Sequence, residues 1–208
     1  MGNRRSVQKA LGAVGAQAQI TRDPAVIATS DGLVIPGVGA FPQAMRNLAQ
    51  FGLDAVVRAY ADSRRPLLGI CLGMQVLFEA SDEFGSTPGL GLIGGLVTPI
   101  RADRLRIPHI GWNEVRFERA SALTAGLPEA GRPFYHVHSL AVRPADPADV
   151  FGTTEYGERF ATAVTHGTIH GVQFHPEKSS RDGLQLLASF AALCGDGVRR
   201  NPPAALRA

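Results

Sequence analysis

Cys71 stands at the centre of Gly69-Ile70-Cys71-Leu72-Gly73, between an apolar run at 66–70 and an amphipathic run at 72–80. A buried strand that turns sharply into a helix across a G-x-C-x-G step is the thiol counterpart of the nucleophile elbow of hydrolases. The glycines permit a tight turn, and the thiol stands above the sheet at a helix N-terminus, where the dipole favours thiolate. By itself Cys71 also fits a small buried hydrophobe. A second group decides between the two readings. In Gly171-Val172-Gln173-Phe174-His175-Pro176-Glu177-Lys178, Pro176 biases His175 towards extended chain. Residues two apart in extended chain share a side, so Glu177 is placed to orient one ring nitrogen of His175 while the other faces a thiol. Alone, His-Pro-Glu reads as a surface turn. Paired with the cysteine step about a hundred residues upstream, it gives a nucleophile, a base and an acid suited to acyl transfer.

Acyl transfer also needs two backbone N–H groups aimed at the developing oxyanion. The N–H of Leu72 is one candidate. The other comes from Pro36-Gly37-Val38-Gly39, a glycine-bearing loop directly after an expected strand, with Val38 as the donor. In isolation that tetrapeptide is a plain turn, and it gains meaning only from its partners.

The elements that must position these groups alternate. Helical spacing of Val7, Leu11 and Val14 precedes short apolar runs at 17–21 and 32–35, which read as buried strands. Helical pattern covers 41–65 with a break near Phe51-Gly52, and a second helix is expected over 72–80 after the elbow. Beyond a glycine-rich stretch at 85–95 the pattern turns to strands at 96–100, 115–117, 134–137 and 140–142. A hairpin is expected from 161–165 and 168–174 around His166-Gly167, then a closing helix over 183–194 and a frayed tail over 201–208. This reads as one three-layer α/β domain over 1–208, with a mixed, mostly parallel central sheet.

Composition narrows the class. The chain has 208 residues, is 45% hydrophobic and 19% charged, and carries a net charge of +3 with its arginines dispersed. That is globular, and it lacks the basic stripe that nucleic acid would call for. No apolar run approaches the ~18 residues of a membrane span, and no signal peptide is visible, so no membrane partner is expected. Two cysteines, Cys71 and Cys194, argue for a reducing compartment and a cytoplasmic protein.

The motifs G-I-C-L-G-M-Q, P-G-V-G and G-V-Q-F-H-P-E-K-S, in this order, resemble the class I, triad-type glutamine amidotransferases. Within that family, Pro108-His109-Ile110-Gly111-Trp112-Asn113, Tyr135-His136-Val137-His138-Ser139 and the opening Met1-Gly2-Asn3-Arg4-Arg5-Ser6-Val7 are similar to one branch. Its members are glutaminase subunits of imidazole glycerol phosphate synthases, in histidine biosynthesis. The resemblance spans essentially the whole chain. It implies that Cys71 attacks the glutamine side-chain amide, that His175 serves as acid and then base, and that Glu177 orients it. Gly39, Gln75, His138 and Ser139 match positions that line the family's glutamine pocket. The ammonia would pass to a separate (β/α)8-barrel cyclase, in a heterodimer, which makes imidazole glycerol phosphate and aminoimidazole carboxamide ribotide. Trp112, the only tryptophan, and Lys178 are candidate contacts with that partner; a core tryptophan and a solvated lysine are the alternatives. Alternatives at the level of function are a triad glutaminase for anthranilate or nucleotide synthesis and a non-catalytic scaffold.

Two departures stand out. The family's aromatic F-Y-F-V-H-S-Y segment reads here Phe134-Tyr135-His136-Val137-His138-Ser139-Leu140, so His136 and Leu140 are unusual. His136 and His138 share a strand face, but no further ligand spacing supports a metal, and neither metal nor cofactor is expected. The family also opens with a hydrophobic strand that is missing before Gly2-Asn3. Met1 is therefore expected to be an internal methionine of a chain that begins upstream.

Overall fold

The computed structural model describes residues 4–102, 105–128 and 131–195; the opening Met1-Gly2-Asn3 and the tail at 201–208 lie outside them. Helices α1 (Arg4–Ala13) and α2 (Pro24–Thr29) lead into strand β1 (Leu33–Gly37). Helices α3 (Phe41–Gln50) and α4 (Leu53–Asp62) follow, broken at Gly52, whose φ of +64° is left-handed. Strand β2 (Leu67–Cys71) runs straight into the single turn α5 (Leu72–Gln75), and then come β3 (Phe78–Ser81), β4 (Thr87–Pro88) and β5 (Ile93–Pro99). The second half holds β6 (His109–Phe117), β7 (Arg132–His138), β8 (Leu140–Pro144), β9 (Val150–Tyr156), β10 (Glu158–His166) and β11 (Ile169–Val172), closed by α6 (Ser180–Leu193).

The main sheet runs β1-β2-β11-β10-β8-β5-β3-β4, with β9 joining β10 to β6 and β6 pairing with β7. Strand β2 lies between parallel neighbours, β1 on one side and β11 on the other, and all five of its residues are buried. That is why Leu67-Leu68-Gly69-Ile70-Cys71 is an unbroken apolar run rather than an alternating one. Its side chains still divide by face. Leu67 joins the core beneath α3 and α4 with Phe41, Val57 and Tyr60, whereas Leu68 and Ile70 join Val7, Leu11, Leu186 and Phe190 beneath α1 and α6. Each of these side chains contributes ~1.5–3 kcal/mol by leaving water. Two helical layers thus clamp the strand that carries Cys71, which is the expected three-layer arrangement.

The sheet is less parallel than its first half suggested. Among the described residues three ladders are parallel (β1 with β2, β2 with β11, β3 with β5) and the remaining seven are antiparallel. The parallel pair β1 and β2 is bridged by helices α3 and α4, whereas β10 and β11, joined by a two-residue turn, must run antiparallel. The helix expected over 72–80 stops at Gln75. Leu72, Met74, Val76, Leu77 and Phe78 are all buried, so burial surrounds this segment rather than striping it, and Phe78–Ser81 pairs in parallel with β5. The strand expected at 17–21 does not form. Its Ala18 carbonyl is held by Gln8 Nε2 at 2.8 Å, and no described strand lies beside it to complete a ladder. Strands β3, β4 and β9 were not expected from the pattern. The hairpin of β10 and β11 is present, paired antiparallel from Ala163↔Val172 to His166↔Ile169.

Candidate active site

Cys71 is the residue at which strand becomes helix. Its backbone sits at φ +56°, ψ −115°, outside the regions an L-residue favours, at a cost of ~1–3 kcal/mol that the surroundings must over-determine. They do so by close packing. A Cβ on Gly73 would lie 1.7 Å from the Ile35 carbonyl oxygen, and one on Gly69 would lie 2.5 Å from the Gly73 carbonyl oxygen. The flanking glycines are therefore required because the turn presses against β1 and against itself, while the strained conformation is carried by the cysteine. Register does the rest: Gly37 pairs with Cys71, so the chain leaving β1 at Val38-Gly39 emerges beside the sulfur.

His175 arrives on the neighbouring strand's continuation, three residues past β11. Its N–H donates to the Tyr135 carbonyl at 2.8 Å. Ser179 Oγ donates to the His175 carbonyl at 2.7 Å and accepts from the Tyr135 N–H at 3.0 Å, stapling this segment to β7. His175 Nδ1 lies 2.8 Å from Glu177 Oε1, with both side chains fully buried. The route differs from the expected extended chain: Pro176–Lys178 is a 3-10 turn with Pro176 at its first position, and the turn itself folds Glu177 back onto His175. With Nδ1 engaged, Nε2 is left for the hydrogen bond to Cys71. Burial alone would lower the His175 pKa, but the hydrogen bonds to Cys71 and Glu177 and their Coulomb attraction outweigh it and raise it to about 9. At neutral pH the His175 ring is therefore held as the imidazolium.

A cavity of about 250 Å³ opens in front of the sulfur. Its wall brings together Val38, Gly39, Leu72, Gln75, His138 and Ser139, every oxyanion and pocket residue expected from the sequence. It also includes Glu83, which sequence reasoning did not single out and which accepts the Phe41 N–H at 2.6 Å.

Behind that wall runs a hydrogen-bonded chain of side chains. His138 Nδ1 lies 2.8 Å from the Leu140 carbonyl, which can only accept, so Nδ1 carries the proton and Nε2 accepts. His109 Nδ1, 3.0 Å from that Nε2, must therefore be the donor, and His109 Nε2 accepts from Asn113 Nδ2 at 3.3 Å. The same amide donates to the Glu155 carbonyl at 2.8 Å, which fixes its orientation. Both rings are neutral, and burial pushes their pKa values down to about 4 for His109 and about 3 for His138. The unusual His136 is fully buried and stacks on His109. It is engaged at both nitrogens, with the Phe134 carbonyl at 3.0 Å and the Thr162 hydroxyl at 2.9 Å. His136 and His138 thus spend their nitrogens on hydrogen bonds within the chain.

The sequence profile of the class I glutamine amidotransferases matches residues 1–193. The chain belongs to that family. Relatives of this amidotransferase include the imidazole glycerol phosphate synthase subunit HisH of Moorella thermoacetica, 50% identical over 193 residues, 93% of this chain and 91% of the relative. Another is the subunit of the same name from Symbiobacterium thermophilum, 48% identical over 204 residues, 97% of this chain and 94% of the relative. Among solved structures, one described as a glutamine amidotransferase is similar with a TM-score of 0.73 at 21% identity, covering 94% of this chain and 95% of that one. The glutaminase domain of Trypanosoma brucei CTPS with bound acivicin is similar at 0.66 and 20% identity, over 91% of this chain and 87% of that one. These two structures are likenesses of fold.

The expected partner contacts also come together in the amidotransferase. Trp112 lies in β6, is 53% exposed, and stands opposite Tyr135 of β7 in register and edge to face. Lys178 Nζ lies over the same Tyr135 ring, 5.5 Å from its centre. Ile110, on the outer face of β6 beside Trp112, is 59% exposed. Among the described residues no helix is long and apolar enough to cross a membrane.

Proposed function

We propose that this amidotransferase hydrolyses glutamine with Cys71, His175 and Glu177. The ammonia then goes to a cyclase subunit of imidazole glycerol phosphate synthase, as the names of its HisH relatives suggest. The carrying observation is a buried His175–Glu177 pair, 2.8 Å apart, hydrogen-bonded onward to a cysteine held in a strained elbow. The Cys71 thiolate attacks the carboxamide carbon of glutamine, and the oxyanion takes hydrogen bonds from the backbone N–H groups of Val38 and Leu72. The His175 imidazolium gives its proton to the departing nitrogen; the C–N bond breaks, ammonia leaves and a glutamyl thioester remains. Neutral His175 then takes a proton from water as its oxygen attacks the thioester. The C–S bond breaks, releasing glutamate, and the thiolate–imidazolium pair returns. Gly39, Gln75, His138 and Ser139 contact the substrate, and Glu83 is the one acidic side chain on the described cavity wall, suited to the substrate's ammonium group.

The exposed Trp112–Tyr135–Lys178 surface supports an aromatic-centred interface with the (β/α)8-barrel cyclase in a heterodimer. Because Tyr135 also supports His175 through its carbonyl, docking there touches the base one bond away. The composition and the cavity supply no argument for a cofactor or a nucleic acid, and we place the protein in the cytoplasm. The test is glutamine hydrolysis with and without a cognate cyclase and its nucleotide. Turnover should appear with the full complex and fall at least 10³-fold in Cys71→Ala, the scale at which loss of a covalent nucleophile is felt. Undiminished turnover in Cys71→Ala would overturn the assignment.

A further inference from the structure

Two buried amides lie against the nucleophile. Gln173 is fully buried two residues before His175, and Gln75 of α5 is 4% exposed. Gln75 Nε2 lies 3.0 Å from Gln173 Oε1 and 3.5 Å from the Leu140 carbonyl. A carbonyl can only accept, so the Leu140 contact makes this atom of Gln75 the nitrogen. It must then donate to Gln173, which makes the receiving atom of Gln173 the oxygen. The Gln173 nitrogen is thereby turned towards Cys71 Sγ, 3.6 Å away, within reach of an N–H···S hydrogen bond. The Gln173 backbone is fixed as well, its N–H donating to the Thr162 carbonyl at 2.8 Å.

We propose that Gln173 is a catalytic residue of the glutaminase reaction, its side-chain N–H stabilising negative charge on the Cys71 sulfur, with Gln75 as the positioning residue that aims it. The proposal rests on Cys71 being the nucleophile. A buried anion is costly unless it is hydrogen-bonded, and His175 cannot serve the sulfur throughout. Once His175 has given its proton to ammonia it is neutral until it takes one from the attacking water, so through the thioester stage it offers the sulfur no positive charge. An amide never gives up its proton at these pH values, so Gln173 donates in both halves of the reaction. It also cannot protonate the sulfur, which keeps the nucleophile ionised. Gln75 lines the glutamine cavity and therefore has two duties, since its nitrogen is already committed to Gln173 and Leu140.

The test uses the full chain in complex with a cyclase, comparing wild type with Gln173→Leu, Gln173→Glu, Gln75→Leu and Cys71→Ala. Two quantities are measured: steady-state glutamine hydrolysis, and the rate at which iodoacetamide alkylates Cys71, followed on its peptide so that Cys194 does not interfere. Gln173→Leu should slow alkylation and lower kcat about tenfold each, the lower end for a hydrogen bond to a charged group, with KM changed less than threefold. Gln173→Glu keeps size and shape but sets a carboxylate against the sulfur, and should slow alkylation further. Gln75→Leu should produce a smaller loss of the same kind. Wild-type alkylation and kcat in Gln173→Glu would overturn the proposal, as would a loss confined to KM. If Cys71→Ala is inactive while both Gln173 variants behave as wild type, only this inference fails. If Cys71→Ala stays active, the nucleophile itself is misassigned.

Discussion

His109 never reaches the cavity wall, yet it supplies the proton that the unprotonated nitrogen of His138 accepts. Removing its donor leaves a buried acceptor unpaired, a loss of ~1–3 kcal/mol for that group. His109→Leu should therefore raise KM for glutamine about five- to tenfold while leaving Cys71 as reactive as before. His109→Asn places an amide nitrogen near the position of Nδ1 and should restore KM to within about threefold of wild type. Steady-state kinetics on the two variants, alongside alkylation of Cys71, checks both statements. A loss in His109→Leu that asparagine fails to repair would show that the ring serves packing against Tyr156 and His136 rather than donation.

Among the elements, the elbow is the most exacting. Gly73→Ala puts a methyl group 1.7 Å from the Ile35 carbonyl oxygen, and no flexible side chain is there to yield. It should cost about 3 kcal/mol or more, read as a lowered urea midpoint, because β1 or the turn must shift. The elbow was legible in the sequence because its chemistry is local: five consecutive residues specify strand, turn and helix start. His175 and Glu177 were legible for the same reason, although a 3-10 turn and not an extended chain unites them. What stayed hidden depends on pairing across long separations. His109 meets His138 only because β6 and β7 place them in register, and Gln173 meets Gln75 across 98 positions. Neither contact leaves a periodic mark in either segment. The helix expected over 72–80 failed because burial from all sides looks, in one dimension, like the apolar stripe of a helix.

For the molecule as a whole, buried histidines set opposing limits on stability. His175 is raised from about 6.5 to about 9 in the folded chain, so its contribution is complete below pH 6.5 and is lost as pH rises through 9. His109, His138 and His170 are lowered to about 4, 3 and 4, chiefly by burial. The unfolded chain binds those protons first, so stability falls as pH drops from 6.5 towards 4. Urea midpoints should peak near pH 6.5–7, and His175→Asn should flatten the alkaline side alone. An unchanged alkaline slope in that variant would contradict the charged state assigned to His175. The same architecture has a bearing on heat inactivation. Cys71 ends β2 and His175 lies three residues past β11, adjacent strands hydrogen-bonded along their length and clamped by a helical layer on each face. The two strands that carry them part only when their paired, buried amides open. Residual activity after heating therefore counts molecules whose central sheet has survived or re-formed, which makes the catalyst its own gauge of folding.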